Sequence, residues 1–277
     1  MPDYVRIFAR HADLTPGAPA SVTALLEALP ADPPPRRILD VAGGKGAAAT
    51  RLAAHYGCPV LLVDLEPRFL RDARARAHAA GVGGLVAPLR ADGLRLPLPT
   101  ATGAAGADAT SGGGVDATSG GGVDATLCLG AASLLGLPAI LGELARVTRP
   151  GGVVVVSDIV WRRTPAFPLG PEWGWVGQIR PRYTLDEYVG ALARAGLTVE
   201  GTRVHPDADW QAYFDPLLDT AIEGRVVGDA EAIHFAETIE AMVRLERAAH
   251  DEFLDYVTFV TRRSAARARP GHAANMT

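Results

Sequence analysis

Lysine is almost missing from this chain: Lys45 is the only one, and arginine supplies the rest of the 27 basic residues. Such a bias is what a skewed coding sequence produces and gives no ground for a basic binding surface. With 31 acidic residues the net charge is -4, and no basic stripe stands out. A mildly acidic protein gains little from releasing counterions off a phosphate backbone, so nucleic acid is not an expected substrate. Cysteine is scarce too. Cys58 and Cys128 both sit in or beside apolar strand-like runs, which predicts buried, inert thiols and no disulfide. No His, Cys, Asp or Glu spacing suits a metal. Long apolar runs are absent: no window approaches 18 uncharged apolar residues, and the opening MPDYVRIFARHADL carries charges throughout. Neither a membrane span nor a secretory signal is expected, which points to the cytoplasm and away from membrane partners.

What is present is a hydrophobic fraction of 48% in 277 residues, enough for one soluble domain over 1–277 with helical additions. Residues 20–30 read as an amphipathic helix inside an N-terminal helical segment, 1–30, and PADPPPRR breaks it. Then come a strand (37–41), a helix (47–56), a strand (59–65), a helix through RFLRDARARAHAAG and a strand near 85–92. Strands alternating with helices of this length imply an α/β fold with a parallel sheet, and they place ligand chemistry at the carboxyl ends of the strands. Residues 100–122 interrupt the order with an eight-residue repeat, DATSGGGV, at Asp108 and Asp116. Ser, Gly and Thr bury too little to offset their ordering entropy, so a flexible insertion is expected. Strands follow at 124–130, 152–161, 197–204 and 256–263, with helices at 138–147, 185–195, 209–222 and 229–255. Seven strands result, the last able to pair antiparallel beside the fifth, and the tail 264–277 is expected to be disordered.

ILDVAGGKG, residues 38–46, is an apolar strand that runs into an acid and then a glycine-rich turn opening a helix. Glycine there lets a ligand approach the backbone. Gly44, Gly46 and Ala49 also fit G-x-G-x-x-A, with Asp64 placed to hold a ribose, so an NAD-dependent enzyme is a rival reading. Three features favour S-adenosylmethionine (SAM) instead. Asp40 ends the first strand, where a carboxylate suits an ammonium and repels a pyrophosphate. Asp92 ends the third strand, where it can accept from an adenine amine. Arg149-Pro150-Gly151-Gly152 turns into the fifth strand.

The order ILDVAGGKG, VDL, ADG, DATLCLGA, LARVTRPGG resembles the class I SAM-dependent methyltransferases over roughly residues 36–160. The resemblance implies a Rossmann-like, seven-stranded, mostly parallel sheet with helices on both faces and SAM as cofactor. It implies that Asp40, Ala42, Gly44 and Gly46 surround the methionine portion, and that Asp64 holds the ribose. It further implies that Asp92 contacts the adenine, that Leu65 and Gly93 flank it, and that Leu129 and Gly130 offer backbone groups. Ala42 departs from the family pattern, which has glycine there.

Whatever covers the carboxyl edge selects the acceptor, and a helical lid is expected over 207–253. All four tryptophans fall between residues 161 and 210. Trp161, Trp173, Trp175, Tyr183, Trp210 and Phe214 can either wall a small, partly apolar substrate or glue the lid to the sheet. SDIVW, YTLDEYVGALARAGL and DWQAYFDPL resemble a subgroup of small-molecule methyltransferases. Methyl transfer is an in-line displacement that needs alignment and, only for a protonated nucleophile, a base. His11 and Tyr213 are the catalytic candidates and His205 a substrate-binding one. The acceptor is expected to be a small molecule, and a homodimer is compatible with the chain. Two alternatives stay open: another SAM-consuming reaction, by transfer or cyclisation of the aminocarboxypropyl arm, and a non-catalytic SAM-binding subunit.

Overall fold

The computed structural model describes residues 4–30, 32–101, 122–167, 169–170, 173, 176–179 and 182–264. Most of the glycine-rich insertion, Trp175 and all but the first residue of the expected tail lie outside them. The first half runs α1 (Tyr4–Ile7), α2 (Ala18–Ala28), β1 (Ile38–Val41), α3 (Ala47–Tyr56), β2 (Val60–Asp64), α4 (Pro67–Ala79) and β3 (Val86–Arg90). The second runs β4 (Val123–Leu129), α5 (Ala132–Leu135), α6 (Leu137–Val147), β5 (Thr148–Trp161), α7 (Leu185–Arg194), β6 (Leu197–Val204), α8 (Asp207–Val227), α9 (Ala230–Glu252) and β7 (Leu254–Arg263).

The described strands form one seven-stranded sheet in the order β3-β2-β1-β4-β5-β7-β6. Its first five strands are parallel, and β7 lies antiparallel between β5 and β6. The order reverses between β1 and β4, which opens a crevice above their carboxyl ends. Because side chains alternate across a strand, Leu39 and Val41 face α6 and α7 through Leu141, Leu144, Tyr188 and Leu192. Ile38 faces α2, α3 and α4 through Val22, Leu25, Leu52 and Leu70. A third apolar cluster joins α8 and α9 to Ile159 and Trp161 at the end of β5 and to Leu254 and Tyr256 at the start of β7. The two long helices therefore cover the carboxyl edge on the β5–β7 side.

Several boundaries differ from the expectations, and two short helices were not anticipated. β5 begins at Thr148, four residues early, because Arg149 Nε pairs with Asp124 at 2.7 Å and Thr148 is in register with Val123. Gly151, at φ 74°, absorbs the bend inside the strand. The short helices α1 and α5 have too few residues to show a period, which is why the pattern missed them. Cys58 and Cys128 are buried and free.

Candidate active site

The glycine-rich loop leaves β1 through Ala42, whose φ of 54° is the only positive value at a non-glycine described residue. A left-handed alanine costs roughly 1–2 kcal/mol, so the loop is strained where β1 ends. Gly43 N donates to Val63 O at 3.2 Å, and Gly44 N donates to Asp64 Oδ2 at 2.9 Å. Gly46 begins α3 at φ 73°, and a Cβ there would stand 2.8 Å from the Ala73 Cβ. Close packing of α3 on α4 therefore demands that glycine.

Three expected cofactor acids stand at successive strand ends. Asp40 is only 2% exposed and its Oδ2 has no hydrogen-bond partner among the described residues. Burial pushes its carboxyl up to about 7, the negative charges of Asp64 and Asp13 push the same way, and the Ala49 N–H opposes them. Asp64 accepts from Gly44 N through one oxygen and from Glu66 N, 2.9 Å, through the other, and the Leu65 N–H also bears on it, which leaves acceptor capacity for a ligand on a carboxylate. Burial raises its pKa against those hydrogen bonds. Asp92 is exposed and accepts from Leu94 N at 2.9 Å. Beside it Leu65 is 56% exposed, and Gly93 lies so close to Val41 that a Cβ would stand 2.9 Å from Cγ1. At the end of β4, Gly130 N donates to Ser157 O at 2.7 Å.

A cavity lies between this loop and the N-terminal segment, lined by Asp13, Leu14, Thr15, Asp40, Ala42 and Lys45 among others. Of the cofactor residues read from the sequence, Asp40, Ala42, Gly44 and Leu129 line it. Gly46, Asp64, Leu65, Asp92, Gly93 and Gly130 occupy the neighbouring turns of the same edge. Sequence reasoning missed Asp13, Leu14, Thr15 and Lys45. The signal available was the chain's single lysine inside the glycine-rich loop.

His11 is 4% exposed and its Nε2 lies 2.9 Å from the Tyr213 carbonyl oxygen. A carbonyl only accepts, so Nε2 carries the proton and Nδ1 the lone pair, which is buried and without a described partner. Burial lowers its pKa, the bond to Tyr213 opposes this, and the Lys45 charge adds to the lowering. His205 is engaged on both sides, Nδ1 with Asp209 Oδ2 and Nε2 with Thr258 Oγ1, each at 2.7 Å. Thr258 continues the chain to Ser21 Oγ at 2.7 Å. His205 thus braces β6, β7, α8 and α2 and offers no free nitrogen to a substrate.

The aromatics separate as sharply. Trp161, Trp210, Tyr213 and Phe214 belong to the cluster beneath α8 and α9, each 3% exposed or less. Trp210 stacks on His250 at 4.4 Å between centroids, and the Arg182 guanidinium lies 4.8 Å over Trp161. Trp173 is half-buried beside Phe167, and Tyr183 packs against the α7 side of the core. None of these lines the cavity above the glycine-rich loop. Among the described residues no group of His, Cys, Asp and Glu could hold a metal, and no helix is long and apolar enough to cross a membrane.

Residues 38–105, which hold the glycine-rich loop and the first three strands, match the family described as "Methyltransferase domain". The chain is 33% identical over 174 residues to an uncharacterized methyltransferase of Mycobacterium ulcerans (strain Agy99), covering 62% of this chain and 52% of the relative. The chain thus spans about half the length of the curated relatives it matches first. In structure it is similar to a SAM-dependent methyltransferase from Thiobacillus denitrificans in complex with S-adenosyl-L-homocysteine (SAH). The TM-score is 0.71 at 20% identity, covering 94% and 98% of the two chains. It is also similar to the [4+2]-cyclase SpnF, with a TM-score of 0.61 at 19% identity and coverage of 83% and 74%.

Proposed function

We propose that the protein binds SAM along the carboxyl edge of β1, β2 and β4 and transfers its methyl group to a small-molecule acceptor. The observation that carries this reading is the buried Asp40 carboxylate, with one oxygen unpartnered, at the mouth of the glycine-rich loop. A dinucleotide pyrophosphate over that turn would meet an unfavourable negative charge; a cationic amino-acid end meets its counterion. The residues present fit the cofactor: Asp40 takes the ammonium, the remaining acceptor capacity of Asp64 takes ribose hydroxyls, and exposed Asp92 and Leu65 receive the adenine.

When bound, SAM supplies an electrophilic methyl group on a sulfonium. The chain's own contribution is alignment, water exclusion by the N-terminal segment, and removal of a proton where the nucleophile carries one. His11 is the base, because the Tyr213 carbonyl fixes its tautomer with the lone pair on Nδ1. A base is needed by a hydroxyl or an ammonium acceptor and not by a thioether. Trp210, Tyr213 and Phe214 hold the roof that closes the acceptor side, and the reaction takes place in the cytoplasm.

Incubation with methyl-labelled SAM and a metabolite extract, followed by mass spectrometry, tests the reading. Labelled product together with SAH is expected. Methylthioadenosine in its place would establish transfer of the aminocarboxypropyl arm. The likeness to the [4+2]-cyclase SpnF favours a second reading, in which the site promotes a cyclisation; cyclised product formed with no SAH released would establish it.

A further inference from the structure

The N-terminal segment over the cavity is fastened at both ends. At one end Lys45 Nζ, 6% exposed, donates to the carbonyl oxygens of Phe8 and Ala9 at 2.8 Å and of His11 at 3.1 Å, with the Asp72 carboxylate 3.9 Å away. At the other end Gly17, at φ 62°, lies under the His205 ring, where a Cβ would stand 1.8 Å from Nδ1. Between these anchors the segment touches both glycine turns. A Cβ on Gly44 would fall 2.6 Å from Leu14 Cδ1, and one on Gly130 would fall 1.9 Å from Thr15 Cγ2.

This latched span carries Asp13 into the cavity that Asp40 lines. Asp13 has no hydrogen bond or ion pair to a described residue, and the positive charges of Arg76 and Arg51 reach it only at longer range. Lys45 also lines the cavity, but its Nζ is engaged by three main-chain carbonyls and makes no hydrogen bond to Asp13 or Asp40. Two carboxylates held on one small cavity repel each other, and Asp40 also keeps a buried, unpartnered oxygen there. A cation between them relieves both conditions.

We propose that Asp13, latched in place by Lys45 on the cavity where Asp40 holds the ammonium, reads the charge at the cofactor's sulfur, favouring the sulfonium of SAM over the neutral thioether of SAH. Asp13 is then a cofactor-selecting residue and Lys45 a positioning residue. The inference rests on the reading of this cavity as the SAM site. It gives a physical reason for product to leave: loss of the methyl group removes the positive charge that faces Asp13, while the ammonium at Asp40 remains.

Calorimetric titration of the full chain with SAM and with SAH tests it, on the wild type and on Asp13→Asn, Asp13→Glu, Lys45→Met and Lys45→Arg, each checked by thermal melting. Asp13→Asn is expected to weaken SAM about tenfold while SAH changes by less than about threefold, and Asp13→Glu to restore the preference. Lys45→Met should lose the same preference, and Lys45→Arg should retain part of it. If Asp13→Asn shifts SAM and SAH equally, or shifts neither, the charge-reading role is overturned while the cofactor site stands. If the wild type binds neither ligand, the reading of the cavity falls and this inference with it. Since Asp13 is half-exposed and unpartnered, Asp13→Asn remains interpretable even if Lys45→Met does not fold.

Discussion

The two halves of the carboxyl edge are built on opposite principles. Over β1, β2 and β4 the chain tolerates a strained Ala42, a buried and half-unpaired Asp40 and a second carboxylate on a latched span. Over β5 and β7 it fills the space with Trp161, Trp210, Tyr213 and Phe214 in one apolar cluster. The first half gives up stability to hold charge and backbone ready for a ligand; the second half supplies the stability that makes this tolerable. Substitutions on the two sides should therefore move stability and cofactor affinity in different directions.

The largest effect is expected from Trp210→Ala, which empties a fully buried site and should lower stability by about 3–5 kcal/mol by chemical denaturation. SAM affinity, measured below the melting point, should stay within about threefold, because the proposed cofactor site lies over β1, β2 and β4 and not in this cluster. Equal damage to SAM binding would erase the distinction between the halves.

Asp40→Asn should do the reverse. Losing a charged partner weakens SAM by about hundredfold on the scale of charge-assisted hydrogen bonds, while the apo protein melts at a higher temperature because the repulsion from Asp64 and Asp13 is gone. Asp64→Ala should weaken SAM by roughly tenfold or more and also free the Gly44 and Glu66 N–H groups. Ala42→Gly relieves the left-handed strain, offset by a more flexible unfolded chain, so a net gain of about 0.5–1 kcal/mol is expected. A lower melting temperature for Ala42→Gly would mean that the methyl group packs favourably.

Protonation provides a finer contrast. Burial pushes Asp40 to about 7 and Asp158, buried on β5, to about 6, both from an ordinary carboxyl value of 3.8. A carboxyl raised on folding favours the protonated native state, so this contribution is complete below pH ~4 and is lost as pH rises through 6 and 7. Apo stability should accordingly decline across that window and level off above it. SAM, which needs Asp40 ionised, should bind more tightly as pH rises through 7. Parallel slopes for apo stability and SAM affinity would contradict the assignment.

The glycine-rich half of the edge was legible in the sequence as a structure because its pattern is local: an apolar strand, an acid at its end and glycines at fixed offsets leave few other arrangements. The β7 insertion beside β5 was legible from strand count and the helices between. The lid was legible as helices but not as wall or core, since Trp210, Tyr213 and Phe214 at helical spacing read the same either way. His205 looked like a free imidazole because Asp209 and Thr258 meet it only in the folded sheet. The role of Lys45 was invisible because its partners are main-chain carbonyls 34 to 37 residues away, which no side-chain pattern encodes.

The central claim is that this edge holds a cationic cofactor and not a dinucleotide, and calorimetric titration of the wild-type chain with SAM and with NAD at pH 8 tests it most directly. Saturable one-to-one binding of SAM with no heat from NAD is the predicted result. Tight binding of NAD with no binding of SAM would contradict it.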